Sequence, residues 1–468
     1  MKLGLSRTVS NFKKALKRAL SFTNTYSLDF DGSDARIDTS AIDLGLENTI
    51  SFWAKRGSAN FYGMVWGGTS QSNYYVVYLP NTNKLMYRVG SGANTFSNAD
   101  IISAIGGSDW FHCALVRNNS GADVLCYING ELKETKTNIV GSGDNTIVQN
   151  IGSRGPTPLD FEIEGQLDEM SLFNSALSAE QISNIYNSGT PTDLTDLSPV
   201  AWYRMGENGS YKSPQWLLPN DSNKNKASNY SFEFDGINDY ISVTANPLTD
   251  FTVSFWIKPN SAGASYEGIL GQGTTSAQGG ILRYVAWNSS SVNGSISLFL
   301  GSWTNVSGTV TNGVWTNIII TYNSTSDELK SYNNGSLYTT ISSPNFSAQT
   351  TNAHSFERIG LRNGANSTSF GGHIDEVALW DSALTDISSI YNSGTPTTIS
   401  GAVAHWKMGD DATWDGSAWT IPDAVGSNDA TTSSMTIDDR VGEAPNSSYN
   451  GLSQNMVEAD RKTDTPPT

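Results

Sequence analysis

An internal repeat constrains the fold of this chain more than any other feature of its sequence. Five blocks recur in the same order and at nearly constant spacing. The matched blocks are 27–32 with 231–236, 49–55 with 252–258, 129–132 with 334–337, 167–173 with 374–380, and 185–192 with 390–397. The last pair is identical in all eight residues. Such a pattern indicates duplication, so we expect both halves to adopt the same fold.

The repeat divides the 468 residues into five segments. We predict a basic N-terminal arm (1–25), a first domain (26–197), a connector (198–229), a second domain (230–399) and a C-terminal tail (400–468). The connector motif Val-Ala-x-x-x-Met-Gly returns after the second domain, but no third domain follows it. Because the last stretch is polar and rich in proline at its tip, we expect an extended, connector-like tail.

The strands of each copy are short. Segments such as 252–258 and 317–322 are rich in β-branched and aromatic residues and are bounded by Gly, Asn and Ser. Ser178 and Gln181 have the spacing of a capping box, which predicts one short helix that ends before Gly189. The sequence therefore predicts an all-β fold of two tandem antiparallel β-sandwich domains, with a short N-terminal helix or arm.

The repeated blocks resemble the laminin G-like branch of the concanavalin A-like lectin/glucanase superfamily. The similar pieces are the Phe-Asp-Gly opening strand, the Ser-Phe-Trp-x-Lys strand, the Trp…Asn-Gly hairpin and the closing Asp-Glu strand. The resemblance implies jelly-roll domains over roughly 26–192 and 230–397. It implies no single activity, since the superfamily includes lectins, adhesion modules, glycosidases and virion proteins. The order of arm, tandem domains and Pro-rich end also resembles structural or fibre proteins of marine bacteriophages.

This resemblance implies Ca²⁺ as a cofactor, because laminin G-like domains often bind it through aspartates. Calcium prefers six to eight oxygen ligands. The repeat-equivalent candidates are Asp31, Asp168, Asp235 and Asp375. An alternative is also open, in which the Asp of each Phe-Asp-Gly turn caps backbone amides and the Asp-Glu pair bonds a neighbouring loop.

Aromatic residues in two polar loops, 57–75 and 260–280, are candidates for contacts with a glycan. An aromatic ring beside amide and hydroxyl groups suits a sugar chemically. The candidate ligand contacts are Tyr62, Trp66, Tyr74 and Tyr266. Alternate positions of a strand point into the core, so burial is the competing interpretation. We expect burial for Trp53, Trp110, Trp256 and Trp315.

A glycosidase is the alternative that makes the sharpest chemical demand. Retaining hydrolysis needs two carboxylates about 5 Å apart. Asp168 and Glu169 are adjacent, and adjacent side chains of a regular strand point to opposite faces. The second copy has no match for Glu162 or Glu164. We therefore predict a protein without enzymatic activity and rank a polysaccharide-degrading enzyme third.

Charge is distributed unevenly along the chain. The net charge of −17 argues against nucleic-acid binding, whereas residues 1–28 carry six basic side chains and no acidic one. Apolar residues of the arm recur at helical spacing among the basic ones. The predicted anchoring residues are Phe12, Lys13, Leu16, Lys17 and Leu20. The arm would dock on another virion or surface protein, lie on an anionic membrane or stay disordered, and we favour docking.

Two cysteines flank a predicted hairpin turn. A turn centred between Asn119 and Ser120 would place Cys113 opposite Cys126. A disulfide and a pair of buried thiols are both open interpretations, and we favour the thiols.

These observations favour a virion-associated adhesion or display protein. It would bind host-surface glycans or neighbouring particle proteins through its sandwiches. The alternative is a purely structural capsid or tail protein, cement or spike, without a ligand. We expect a virion or extracellular location by resemblance, reached without a visible secretory signal and without a transmembrane segment. A homotrimer is expected by analogy with virion appendages.

Overall fold

The computed structural model describes residues 22–57, 63–68, 75–79, 83–89, 92–139, 141, 143–154, 161–260, 266–271, 284–289, 293–299, 302–344, 355–362 and 369–466. They form two compact units. Unit 1 comprises the described residues up to Lys224 and from Tyr449 onward, and unit 2 spans Asn225–Ser448. Each unit has two antiparallel sheets with a hydrophobic core, which confirms the predicted all-β class.

The strands of unit 1 that precede unit 2 are short. They are β1 (Ser27–Asp31), β2 (Arg36–Asp43), β3 (Asn48–Arg56), β4 (Gly63–Gly67), β5 (Tyr75–Leu79), β6 (Leu85–Val89), β7 (Gly92–Phe96), β8 (Phe111–Asn118), β9 (Asp123–Ile128), β10 (Glu131–Lys136), β11 (Ile147–Ile151), β12 (Glu164–Phe173), β13 (Ala201–Tyr203), β14 (Ser210–Lys212) and β15 (Gln215–Leu218). Helix α1 (Ala99–Gly106) lies between β7 and β8, and α2 (Ala179–Tyr186) follows β12.

Unit 2 has a similar order of elements, with a two-residue strand where unit 1 has helix α1. Its strands are β16 (Ser231–Asp235), β17 (Tyr240–Ser242), β18 (Phe251–Pro259), β19 (Glu267–Gly271), β20 (Tyr284–Ser289), β21 (Asn293–Phe299), β22 (Trp303–Asn305), β23 (Val310–Thr311), β24 (Thr316–Asn323), β25 (Glu328–Asn333), β26 (Ser336–Ser342), β27 (Arg358–Ile359), β28 (Gly371–Trp380), β29 (Ala404–Trp406), β30 (Thr413–Trp414), β31 (Trp419–Ile421), β32 (Ala430–Ser433) and β33 (Arg440–Val441). Helix α3 (Ser388–Tyr391) follows β28, and β34 (Gly451–Gln454) and β35 (Arg461–Lys462) come after unit 2.

The first sheets of the two units have equivalent strand orders. The order is β10-β9-β8-β3-β12-β1-β35 in unit 1 and β26-β25-β24-β18-β28-β16-β33 in unit 2. The opening and closing strands of each copy pair with each other, with Leu28 opposite Leu167 and Phe232 opposite Ile374. Each duplicated half therefore closes its own sheet.

The second sheets show that the duplication is nested. Unit 1 has the order β14-β15-β34-β2-β11-β4-β5-β6-β7, and unit 2 has β30-β31-β32-β17-β27-β19-β20-β21-β22. Strand β34 thus occupies in unit 1 the place that β32 occupies in unit 2. In unit 2 only residues 422–429 separate β31 from β32, whereas β15 and β34 are separated by residues 219–450. Unit 2 is inserted in the chain between two neighbouring strands of unit 1.

This topology corrects the predicted domain boundaries. Residues 400–466 do not form an extended tail, because they supply strands to both units. Trp419 is fully buried in the core of unit 2, and Met456 is buried in that of unit 1. The predicted connector contributes β13–β15 to unit 1. Strands β13–β15 and β29–β35 have two to four residues each, which is too short for an alternating pattern to be visible in the sequence.

Other local predictions had mixed outcomes. The capping box of Ser178 and Gln181 is present at the start of α2. Trp53 and Trp256 are buried, whereas Trp110 and Trp315 are partly exposed.

The cysteine hairpin has a different register from the predicted one. Asn118 pairs with Asp123, so Cys113 lies opposite Ile128 rather than Cys126. Both cysteines are buried and free. In the described part of the chain, no helix is long and apolar enough to cross a membrane.

Candidate functional site

A β-bulge in each closing strand brings two adjacent acids together. In β12 the pairing with β3 shifts register between Asp168 and Ser171, and Glu169 has a φ of 48°. The equivalent Glu376 in β28 has a φ of 49°. A bulge interrupts the alternation of side chains. The prediction that Asp168 and Glu169 point to opposite faces is therefore wrong, because ligand oxygens of both lie within 4.8 Å of each other.

A third acid, which the sequence analysis did not single out, completes this group. Glu207 follows β13, and its carboxylate also lies within 4.8 Å of those of Asp168 and Glu169. We call these three residues acidic cluster 1. Trp202 Nε1 donates to Glu169 Oε2 at 2.6 Å, and Arg204 Nε donates to Glu169 Oε1 at 3.2 Å. The guanidinium of Arg204 thus bonds one of the three carboxylates, and its charge also acts on Glu207.

Burial changes the acidity of acidic cluster 1. It raises the pKa of Asp168 well above its ordinary value, and the charges of Glu169 and Glu207 raise it further. It also raises the pKa of Glu169 to about 7, although the charge of Arg204 acts in the opposite direction. The pKa of Glu207 is raised as well, again mainly by burial. Desolvation penalises the charged form of each carboxyl, so the cluster favours bound protons or a cation.

Unit 2 has an equivalent group with different neighbours. We call Asp375, Glu376 and Asp410 acidic cluster 2. Ser228 Oγ lies 2.7 Å from Asp375 Oδ2 and 3.2 Å from Asp410 Oδ2, and His405 Nε2 lies 2.6 Å from Glu376 Oε2. Burial raises the pKa of Asp375 well above its ordinary value and that of Asp410 to about 7.

The two aspartates of the Phe-Asp-Gly turns lie elsewhere. Asp31 Oδ1 accepts the backbone N–H of Ser33 at 2.9 Å, and Asp235 Oδ1 accepts that of Ile237 at 2.7 Å. Asp31 pairs with the residue four positions before Asp168 in β12, which is about 13 Å along the strand. The structure therefore does not bring Asp31 and Asp168 into one site, and the register of Asp235 and Asp375 gives the same separation.

The predicted glycan contacts have different outcomes. Tyr62 and Tyr74 lie outside the described residues. Trp66 is fully buried and packs against Tyr203, with 6.2 Å between ring centroids. The prediction of a surface role for Trp66 is wrong, because the residue lies within β4, where its side chain points into the core. Tyr266 is partly exposed.

Tyr266 belongs to a group of partly exposed aromatic rings in unit 2. It stacks on Trp303, with 4.4 Å between centroids and 13° between planes. Phe299 meets Trp303 edge to face at 5.5 Å. The guanidinium carbon of Arg362 lies 5.8 Å from the ring of Trp303, and Arg362 Nη1 donates to the carbonyl of Tyr266 at 3.4 Å. We call these four residues the aromatic face.

The aromatic face is built by positions that the sequence analysis mostly missed. Phe299 and Trp303 are directly paired residues of the β21–β22 hairpin. Nearby on the same strands, Ser297 Oγ donates to Asn305 Oδ1 at 2.8 Å. The ring faces can stack on the apolar side of a sugar, and the guanidinium of Arg362 and the exposed amide of Asn305 can bond its hydroxyls, whereas the hydroxyl of Ser297 is buried.

The predicted anchoring residues, Phe12, Lys13, Leu16, Lys17 and Leu20, all lie outside the described residues. The docking role of the arm stays a prediction.

The matched ranges of a family model agree with the two units. The model is described as the concanavalin A-like lectin/glucanases superfamily, and it matches residues 31–183 and 234–387. The chain belongs to this superfamily. The match ends before β13 in the first copy and before β29 in the second, so the strands that follow in each unit extend the superfamily core. Membership points to binding of a glycan or another ligand, and it leaves catalysis open.

Solved structures with related folds are distant from this member of the superfamily. A putative carbohydrate binding protein from Bacteroides ovatus has 14% identity and a TM-score of 0.34, with 88% of this chain and 95% of that chain covered. A native heptameric SAP-like pentraxin from Limulus polyphemus has 18% identity and a TM-score of 0.30, with 35% and 82% covered. Domains LG4-5 of the mouse laminin alpha1 chain have 11% identity and a TM-score of 0.27, with 82% and 95% covered. No curated protein sequence matches the chain.

Proposed function

We propose that this protein is a non-catalytic binding protein whose unit 2 binds a glycan at the aromatic face. The observation that carries the proposal is the parallel stack of Tyr266 on Trp303 beside Arg362. Large aromatic rings are expensive to leave in water unless they pack or bind. Here both rings are partly exposed, and Arg362 holds the backbone of Tyr266. A sugar ring of matching size would stack on the exposed part of these rings.

The buried position of the acids supports a role in binding rather than hydrolysis. Asp168 and Asp375 are fully buried, and Glu169 and Glu376 are 3% and 5% exposed. A glycosidase must place its two carboxylates on either side of the scissile bond of a polysaccharide. The carboxylates of the Asp-Glu pairs cannot take up such a substrate while they stay buried.

The finer part of the proposal concerns attachment. The arm of residues 1–25 would fix the protein to a virion or another surface, and the sandwiches would present the aromatic face to a host-surface glycan. The basic and apolar residues of the arm support docking on an acidic protein groove. Assembly as a trimer would multiply weak glycan contacts through avidity. The alternative is a purely structural particle protein with no ligand.

A glycan array tests the proposal, with the full-length chain as the probe. We expect binding to a limited set of glycans, and Trp303→Ala and Tyr266→Ala should each weaken it at least tenfold in titration calorimetry with the best glycan. Tyr338→Ala is the matched control, since Tyr338 is 46% exposed in the same unit but outside the aromatic face. Undiminished binding by Trp303→Ala would disprove the assignment of the face. A blank array would favour the structural alternative.

Deletion of residues 1–25 tests attachment separately. Particle association should be lost while glycan binding by the purified protein persists. Release of reducing sugars from a bound polysaccharide would instead show catalysis.

A further inference from the structure

Acidic cluster 1 contains carboxylate oxygens that no donor occupies. Asp168 uses Oδ1 to accept the N–H of Glu169 at 2.8 Å. Glu207 uses Oε1 to accept the N–H groups of Thr25 and Tyr26, the latter at 2.6 Å. The other oxygen of each, Asp168 Oδ2 and Glu207 Oε2, has no hydrogen-bond partner among the described residues. Each acid is thus fixed by one oxygen and keeps another for a ligand.

A buried amide adds an independent observation. Asn24 is 3% exposed, and its Oδ1 has no hydrogen-bond partner in the described part of the chain. Its side chain lies against Asp168, where it favours the charged form of that carboxyl. Unpartnered buried amides are costly and uncommon in folded proteins. An amide oxygen beside free carboxylate oxygens is a donor set that a hard cation prefers.

The charges of the cluster also require compensation. Ionised Asp168, Glu169 and Glu207 carry three negative charges, and Arg204 supplies one positive charge. The remaining two negative charges match one divalent ion. Burial without such a partner is unfavourable, because the low dielectric of the interior strengthens repulsion between like charges.

We propose that acidic cluster 1 together with Asn24 binds one hard divalent cation, for which Ca²⁺ has the appropriate size. Oxygens on opposite sides of Ca²⁺ lie about 5 Å apart at the usual distance of about 2.5 Å per ligand. The three carboxylates, all within 4.8 Å of one another, can therefore share one ion. Glu207 is only partly buried, which gives the ion a route from solvent. Water would complete the coordination.

The equivalent position in unit 2 provides an internal contrast. Ser228 stands where unit 1 has Asn24, and its hydroxyl joins Asp375 to Asp410. Both oxygens of Asp410 accept hydrogen bonds, each from the N–H of Asn229 at 3.1 Å. Asp375 Oδ1 and Glu376 Oε1 also have no hydrogen-bond partner among the described residues, but the carboxylates of acidic cluster 2 do not all lie within 4.8 Å of one another, as those of acidic cluster 1 do. We assign the cation to unit 1 alone.

The position of the site gives the cation a structural effect. Asn24 precedes β1, Asp168 and Glu169 lie in the closing strand β12, and Glu207 follows β13. A bound ion would tie these three segments together. Because it would bind only the folded state, it would raise the stability of unit 1 in proportion to the logarithm of its concentration.

Terbium luminescence of the full-length protein tests the proposal. Trp202 donates to Glu169 at 2.6 Å, so its indole can sensitise a Tb³⁺ ion in the cluster. After removal of metal with EDTA, we expect tryptophan-sensitised emission that saturates at one equivalent and is displaced by Ca²⁺. Calorimetry should show that Ca²⁺ at about a hundredfold excess over its Kd raises the Tm of unit 1 by about 5–10 °C.

Matched variants locate the ion. Asp168→Asn should abolish the emission. Asn24→Ser, which introduces the residue that unit 2 has at the equivalent position (Ser228), should weaken Tb³⁺ affinity at least tenfold. Asp375→Asn, the same change in unit 2, should leave the emission unchanged. Unaltered titration of Asp168→Asn, or absence of a Ca²⁺-induced change in the Tm of the wild type, would overturn the proposal and show that protons neutralise the cluster. Because the aromatic face lies in unit 2, glycan binding is an independent measurement.

Discussion

The backbone N–H of Asn220 donates to Oδ1 of Asn450 at 3.0 Å, across 230 residues of sequence. The equivalent bond in unit 2 runs from Asp423 to Asp429, at 2.9 Å across six residues. The same local structure is therefore closed by a short loop in one copy and by a whole inserted unit in the other. This relationship makes the nested topology testable.

The first prediction concerns the C-terminal segment. Deletion of residues 449–468 removes β34, which lies between β15 and β2 in the second sheet of unit 1. We expect unit 1 to lose cooperative unfolding, because the deletion opens its sheet and exposes its core. Unit 2 should keep its own transition in calorimetry. Two unchanged transitions would show that the segment is a dispensable tail.

The second prediction concerns the insertion. We expect unit 1 to fold without unit 2 if residues 219–450 are replaced by residues 422–429, the loop that joins β31 to β32. Loop closure depends only weakly on length, so the shorter connection should be neutral or slightly stabilising. Calorimetry should show a single unfolding transition, with a heat capacity change close to that of unit 1 in the full-length protein. A chimera with no cooperative transition would contradict nesting.

Several of these features could be predicted from the sequence, and others could not. The paired opening and closing strands follow from the repeated blocks, and α2 follows from its capping box. The nesting left a weaker signal, since Met435-x-x-x-Asp439-Arg440 recurs as Met456-x-x-x-Asp460-Arg461. The strands that begin at the end of this motif, β33 and β35, have two residues each, which is too short to show a periodicity in the sequence.

The candidate sites show a similar limit. The sequence identifies Asp168 and Asp375 as candidate ligands. A regular alternation of side chains along the strand would, however, place the glutamate next to each of them on the opposite face. Glu207 was hidden in a segment that was interpreted as a connector. Trp303 has Ala99 near the matching position of the first copy, so comparison of the copies could not identify it.

The third prediction uses one arginine position in both copies. Arg440 is 1% exposed, with its guanidinium carbon 4.1 Å from the ring of Trp419. Arg461 is exposed, with its guanidinium carbon 4.5 Å from the ring of Tyr26 and 5.4 Å from that of Trp216, so the two positions differ mainly in burial. Cation–π contacts are worth about 2 kcal/mol when desolvated and about 0.5–1 kcal/mol when exposed. We expect Arg440→Ala to lower the free energy of unfolding of unit 2 by at least about 2 kcal/mol. Arg461→Ala should cost unit 1 less than about 1 kcal/mol, and equal losses in denaturant titrations would contradict this account.

The fourth prediction concerns pH and Asp410. Burial raises its pKa from 3.8 to about 7, so between these values the folded protein keeps a proton that the unfolded chain has lost. The stability from this proton is complete below pH about 4 and is lost as the pH rises through about 7, at up to about 1.4 kcal/mol per pH unit. Asp410→Asn should remove this loss, measured as the free energy of unfolding of unit 2 in EDTA between pH 4 and 8.

The difference between the pH profiles of Asp410→Asn and the wild type is more informative than either profile alone, because both proteins contain the same ionisable neighbours. Asp375 and Glu376 lie beside Asp410, and His405 bonds Glu376, in both proteins, so the contribution of these neighbours largely cancels in the comparison. Asp415→Asn is the control, because Asp415 is exposed and backbone N–H groups of Ala418 and Ser417 lower its pKa. The stability that Asp415 contributes is present above its ordinary pKa and is lost only as the pH falls below it, so this variant should differ from the wild type only at acid pH. Parallel profiles of Asp410→Asn and the wild type from pH 4 to 8 would mean that Asp410 is already ionised in the folded protein, and that donors such as Asn229 and Tyr230 outweigh its burial.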